Sequence, residues 1–166
     1  NGVKGYTNGS ATTNANFFPF DDSDVSGNVN KLNYAFGMKM EINFCLTEDG
    51  QIVDSNGTKQ DITFNFSGDD DIWIFIDDKL ALDIGGGHGE VSGKLNFKTK
   101  EATVSNVKTL NGENGEKTSS FELTGENKDQ HTLTMYYMER GLWESNMHIT
   151  FNFPEDNIFT VEKEVD

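Results

Sequence analysis

Apolar and polar residues alternate along most of this chain. From Tyr34 the apolar positions are Tyr34, Phe36, Met38, Met40, Ile42, Phe44 and Leu46, with Ala35, Gly37, Lys39, Glu41 and Asn43 between them. A period of two sends one set into a core and the other into water, the mark of a long half-buried strand. Ile62, Phe64 and Phe66 repeat the pattern, as do Leu133, Met135 and Tyr137, and then Met147, Ile149, Phe151 and Phe153. Leu95 with Phe97, and Phe121 with Leu123, give shorter versions. Ile72-Trp73-Ile74-Phe75-Ile76 is apolar throughout. That reads as a central strand covered on both faces. Asp77-Asp78 predicts a tight turn into a second strand, Lys79–Ile84. Clusters of Gly and Asn at Ser55–Gly57, Gly85–Gly89 and Asn111–Gly115 punctuate the strands. No stretch carries a 3.6-residue period. The pattern predicts an all-β sandwich or barrel-like domain with long loops and little helix.

The two ends differ from the middle. Residues 1–30 are polar apart from Phe17-Phe18-Pro19-Phe20, and predict an irregular arm pinned by those rings. Residues 158–166 begin another alternating strand after a linker at Pro154–Asn157, with no partner left in the chain. The expected organisation is one domain over 1–157 and the first strand of a following domain over 158–166. The opening Asn-Gly-Val-Lys lacks a Met and a signal-peptide pattern, so the expectation is a piece of a longer protein.

Composition narrows the function classes. The 166 residues include 13 Lys and Arg against 28 Asp and Glu, a formal charge of −15. Nucleic acid and anionic membrane surfaces both need a basic footprint, so neither is an expected partner. Only 34% of residues are hydrophobic, but 13 of them are Phe, and aromatic rings bury a large area each. No apolar run approaches the length of a membrane span. Cys45 is the single cysteine, which excludes an internal disulfide and a Cys-rich zinc site. It reads as a small residue near the Tyr34–Leu46 strand.

Four segments carry candidate chemistry. Asp69-Asp70-Asp71 places three carboxylates side by side, with Lys59 and Lys79 the nearest cations in sequence. Such a knot suits a hard cation, and Ca²⁺ takes six to eight oxygen ligands. The plain alternative is a solvated acidic turn. Asp22–Gly27 matches the first half of an EF-hand loop, but Asn33 stands where a bidentate Glu belongs, and a polar turn is the alternative. Gly85-Gly86-Gly87-His88-Gly89 reads as a loop at the rim of a site or simply a connection. His88, His131 and His148 read as separate surface residues rather than a zinc set. Glu139–Asn146 mixes carboxylates, a guanidinium, an amide and the Trp143 indole, chemistry that suits sugar hydroxyls and the apolar side of a sugar ring.

In combination these residues resemble a known family. The stretch FNFSGDDDIWIFIDDKLALDIGGGHGEVS, with FFPFDD, NYAFGMKMEINF, HTLTMYYMERG and SNMHITFNFP, is similar to the fibro-slime domains of the PA14 superfamily in Gram-positive surface proteins. The likeness covers residues 17–154, and FTVEKEVD is similar to the start of a Cna-B-type domain. The resemblance implies a PA14-like β-sandwich. In sugar-binding members, two adjacent aspartates joined by a cis peptide hold Ca²⁺. By register these are Asp69 and Asp70, with Asp71 where many members have Gly. The second loop then contributes Asn146 to the metal. Glu139, Arg140, Trp143 and Glu144, with His88, line the ligand.

The expected function is a calcium-dependent carbohydrate-binding adhesin module, non-enzymatic, with glycan on another cell as partner. The expected location is a Gram-positive cell wall, continuous with further surface domains. The alternative is a structural or protein-binding domain in which calcium only stabilises the fold. A glycoside hydrolase would need two carboxylates about 5–9 Å apart, with Asp69–Asp71 facing Glu139 or Glu144 as the only pairing on offer.

Overall fold

The computed structural model describes residues 35–69, 71–86, 88–108, 112, 114–140 and 146–154, together with strand segments 4–7 and 10–13. The described residues contain strands and no helix, so the protein is all-β. In chain order the strands are β1 (Lys4–Thr7), β2 (Ser10–Thr13), β3 (Phe36–Phe44), β4 (Gln51–Val53), β5 (Lys59–Asp61), β6 (Thr63–Gly68) and β7 (Asp71–Ile76). They continue with β8 (Lys79–Ile84), β9 (Val91–Asn96), β10 (Glu101–Lys108), β11 (Asn114–Ser120), β12 (His131–Glu139) and β13 (Met147–Phe151).

Two antiparallel sheets carry the core. One has the order β11-β10-β9-β6-β13 and the other β3-β12-β7-β8. Small hairpins, β1-β2 and β4-β5, stand apart from them in pairing. Inward positions of both sheets merge in one cluster. Ile42, Phe44, Ile72, Ile74, Ile76, Leu133, Met135 and Tyr137 come from the four-stranded sheet, and Phe64, Phe66, Val91, Leu95 and Ala102 from the other. Phe44 sits edge-on to Phe97 at 5.2 Å and stacked on Phe153 at 4.7 Å. Gly93 packs tightly against the other sheet: a Cβ there would lie 3.0 Å from Leu82 Cδ2 and 3.1 Å from Ile84 Cδ1, so any larger residue would push these side chains aside.

Several expectations need correction. β7 is interior to its sheet, between β12 and β8, but only one of its faces is in the core. Ile72, Ile74 and Ile76 are buried, whereas Trp73 and Phe75 are half-buried on the outer face. Among the described residues, neighbouring side chains of the same sheet cover them. Tyr136 pairs with Trp73, Leu80 with Phe75, and the Phe75 and Tyr136 rings meet edge-on at 5.9 Å. The polar N-terminal region is not wholly irregular, since β1 and β2 pair as a hairpin. The Phe17–Phe20 knot, the Asp22–Gly27 turn and residues 158–166 lie outside the described residues.

The Asp77-Asp78 turn is formed as expected. Both residues have positive φ, 49° and 63°, the left-handed pair that matches the twist of a two-residue hairpin. Asp77 also ties the turn to the chain opposite. Its carboxylate accepts the amides of Thr124 (2.9 Å) and Thr132 (3.0 Å) and faces Nδ1 of the fully buried His131 at 2.8 Å. Burial pushes the Asp77 pKa up, but these partners outweigh it and hold the carboxyl below its ordinary 3.8. A carboxyl with a depressed folded pKa stabilises the fold above its unfolded value, and the contribution is lost as pH falls through the lower folded value. Asp77→Ala is therefore expected to cost about 2–4 kcal/mol at neutral pH, read by urea unfolding. The gap to the parent should narrow below the ordinary carboxylate range; an equal cost at neutral and strongly acidic pH would contradict this.

Candidate functional site

The acidic knot lies where β6 hands over to β7. Asp71 opens β7 and, by alternation with Trp73 and Phe75, belongs to the outer face of the four-stranded sheet. It is nevertheless only 3% exposed. A buried carboxylate needs charge and donors around it. They come from residues distant in sequence. Met138 pairs with Asp71, so Arg140, two residues on, reaches the same face. The Arg140 guanidinium grips both Asp71 oxygens, with Nη2 to Oδ1 at 2.9 Å and Nε on Oδ2. The Gly86 amide donates to Oδ1 from the glycine loop. Burial raises the Asp71 pKa, while Arg140, the Gly86 amide and the nearby His88 lower it; the net effect holds the carboxyl below its ordinary value.

Asp69, at the end of β6, has a separate set of partners. Its amide donates to the Asn146 carbonyl at 3.1 Å, and Asn146 Nδ2 donates to Asp69 Oδ2 at 2.7 Å. This double contact brings the Asn146 backbone close against Gly68. A Cβ on Gly68 would lie 2.3 Å from the Asn146 oxygen, so residue 68 must be glycine. Glu139 continues the inward alternation of Leu133, Met135 and Tyr137. It is 1% exposed and accepts the Tyr137 hydroxyl at 3.0 Å, so it points into the fold and not toward a ligand.

His88 folds back on its own loop, with Nδ1 at 2.8 Å from the Gly89 carbonyl and Nε2 at 3.2 Å from that of Ile84. Gly85 packs on the Trp73 indole, where a Cβ would lie 3.1 Å from Cζ2. The glycine loop borders an open groove of about 700 Å³ that reaches across to Val104, Asn106 and Lys117. Cys45 follows β3 as a half-buried thiol. His131 is buried and His148 is exposed on β13, and no three His, Cys, Asp or Glu gather as a metal site among the described residues.

The structure thus pairs Asp71 with Arg140 and Asp69 with Asn146, and turns Glu139 inward. Asp70, Trp143 and Glu144 lie outside the described residues. Sequence reasoning read the adjacent carboxylates as needing a cation and found only Lys59 and Lys79 nearby. Arg140 answers that need for Asp71 from 69 positions along the chain. Asp71 itself does not fit as a calcium ligand, because the guanidinium and the Gly86 amide already occupy its oxygens and Arg140 adds positive charge beside them.

Comparison with known proteins corrects the family reading. No family model matches the chain, and no solved structure matches it. It is similar to three proteins of Dictyostelium discoideum, among others. These are Protein psiF (31% identical over 85% of the chain and 20% of that protein), Protein psiB (36% over 56% and 16%) and Protein psiR (38% over 47% and 7%). The chain spans about a fifth or less of the length of these relatives. They belong to a eukaryote, which overturns the expected Gram-positive surface family and the cell-wall location. The calcium-dependent adhesin reading falls with them, since nothing in the relatives supports calcium-dependent sugar binding.

Removal of the guanidinium tests the electrostatics. Arg140→Ala leaves a buried carboxylate with one amide donor, and is expected to cost about 1–3 kcal/mol at neutral pH, less than for a fully buried pair because Arg140 is half exposed. The Asp71 pKa is depressed in the parent, so the stabilisation is present above the ordinary value of 3.8 and fades as pH falls through the lower folded value. Unfolding curves of parent and variant should therefore converge in acid; parallel curves at every pH would refute the assignment.

Proposed function

We propose that this domain is a non-catalytic recognition module that binds protein through the outer face of the four-stranded sheet. The observation that carries the reading is the chemistry of that face. A sheet face in water normally carries polar residues. Here Tyr136 (41% exposed), Met138 (45%) and Leu80 (52%) stand in solvent beside the half-buried Trp73 and Phe75. Tyr, Trp, Phe and Met are the residues enriched in protein interfaces. Register places them contiguously, because Tyr136 lies between Lys39 and Trp73, and Phe75 between Thr134 and Leu80.

The non-catalytic part rests on the state of the carboxylates. Asp71 is held by Arg140, Asp69 by Asn146, and Glu139 accepts from Tyr137, so none of the three stands ready to move a proton. The partner's charge follows from the domain's own. At −15 the domain repels acidic proteins and steers basic ones toward it.

A displayed library of random peptides, panned on the intact domain, tests this. Enriched sequences should carry Lys or Arg beside apolar residues. They should lose about tenfold in affinity or more on Tyr136→Ala or Met138→Ala, at unchanged melting temperature, since aromatic anchors dominate such interfaces. Peptides indifferent to both substitutions would overturn the reading. So would an empty library alongside glycan binding that these substitutions abolish, which would assign the face to sugar.

A further inference from the structure

At the hairpin end of the same face lies a recess of about 230 Å³, lined by Lys39, Glu41, Phe75, Asp78, Thr134 and Tyr136. We infer that this recess takes one cationic side chain, the guanidinium or ammonium end of an Arg or Lys, from the protein partner. The inference deepens the proposed function and rests on it.

Size, walls and charge converge on that guest. At roughly 30 Å³ of liquid per water, the recess of about 230 Å³ holds about seven or eight waters, room for the end of one long side chain and not for a folded segment. Two of its walls are rings, Phe75 and Tyr136, set edge-on at 5.9 Å. Aromatic faces attract cations, by about 0.5–1 kcal/mol when exposed and more once water is excluded. Three charged groups line it. Lys39 Nζ pairs with Glu41 at 3.1 Å and neutralises it. Asp78 has no hydrogen bond or ion pair among the described residues. The three charges leave the recess one negative charge in excess, so a guest with one positive charge balances it.

The backbone fixes Asp78 in this place. It is the second residue of the tight turn, with φ at 63°, so the hairpin sets where its Cβ stands beside the recess. Asn accepts the same backbone conformation, which makes Asp78→Asn a charge change that spares the turn.

Amide chemical shifts of the intact domain read the test, with Nα-acetyl-arginine methylamide and Nα-acetyl-lysine methylamide as probes and the neutral citrulline analogue as control. The cationic probes should shift the Asp78, Thr134 and Tyr136 amides, and citrulline should not. Asp78→Asn should weaken the cationic probes by about tenfold, and Lys39→Gln, which leaves two uncompensated carboxylates, should tighten them several-fold. Equal response to arginine and citrulline analogues, or no change on Asp78→Asn, overturns the inference. Library peptides that depend on Tyr136 but not on Asp78 would sink this inference alone. Arginine binding at Asp78 without any Tyr136-dependent peptide would sink the wider protein-binding reading and leave the recess as a small cation site.

Discussion

The pair between Asp71 and Arg140 closes a corner that strand pairing has already assembled, since β7 lies between β12 and β8. Asp71 starts β7, Arg140 follows β12, and Gly86 belongs to the glycine loop after β8. Burying the Asp71 carboxylate without partners would cost several kcal/mol. The loop must therefore close over it and the end of β12 must present its cation there. That closure also decides what the outer face of the sheet can offer. Its Asp71 end is sealed by an ion pair, and its other end, at the Asp77-Asp78 turn, is left open.

Much of the fold was legible because one periodicity governed it. β3, β6 and β12 all show the inward alternation in sequence. The Asp-Asp turn followed from the need for two left-handed residues. The strands that escaped notice are those whose inward residues are few or small. β10 buries Ala102 and only part of Val104, and β11, at the sheet edge, is exposed at nearly every position. β7 misled in the opposite direction. Five apolar residues in a row implied cover on both sides, and Trp73 and Phe75 instead lie half-buried on the outer face, where the Phe75 ring meets that of Tyr136.

The site was less legible than the fold, for a physical reason. Adjacent carboxylates are visible in a sequence, but the groups that neutralise them are brought in by register. Arg140 reaches Asp71 only because Met138 pairs with Asp71 across β12 and β7. A reading confined to near neighbours found no cation and supplied one from outside. The inward turn of Glu139, by contrast, was available. It occupies the next position in the series Leu133, Met135, Tyr137, and the alternation that identified the strand also predicted its burial.

The distribution of charge gives the outer face its meaning. A domain carrying −15 gains solubility from its acids and has little need to expose aromatic rings. Yet the centre of one sheet presents Trp73, Tyr136 and Met138, and of the acids at the hairpin end Glu41 is paired with Lys39 while Asp78 is not. Apolar contact area there would supply affinity, and the uncompensated carboxylate would supply selectivity for a positive group. Such a division fits an interface in which hydrophobic anchors hold the partner and a peripheral charge sets its orientation. It also explains why the two ends of the face differ: Asp71 needs its cation from within to fold, and Asp78, exposed in a turn, can wait for one from another molecule.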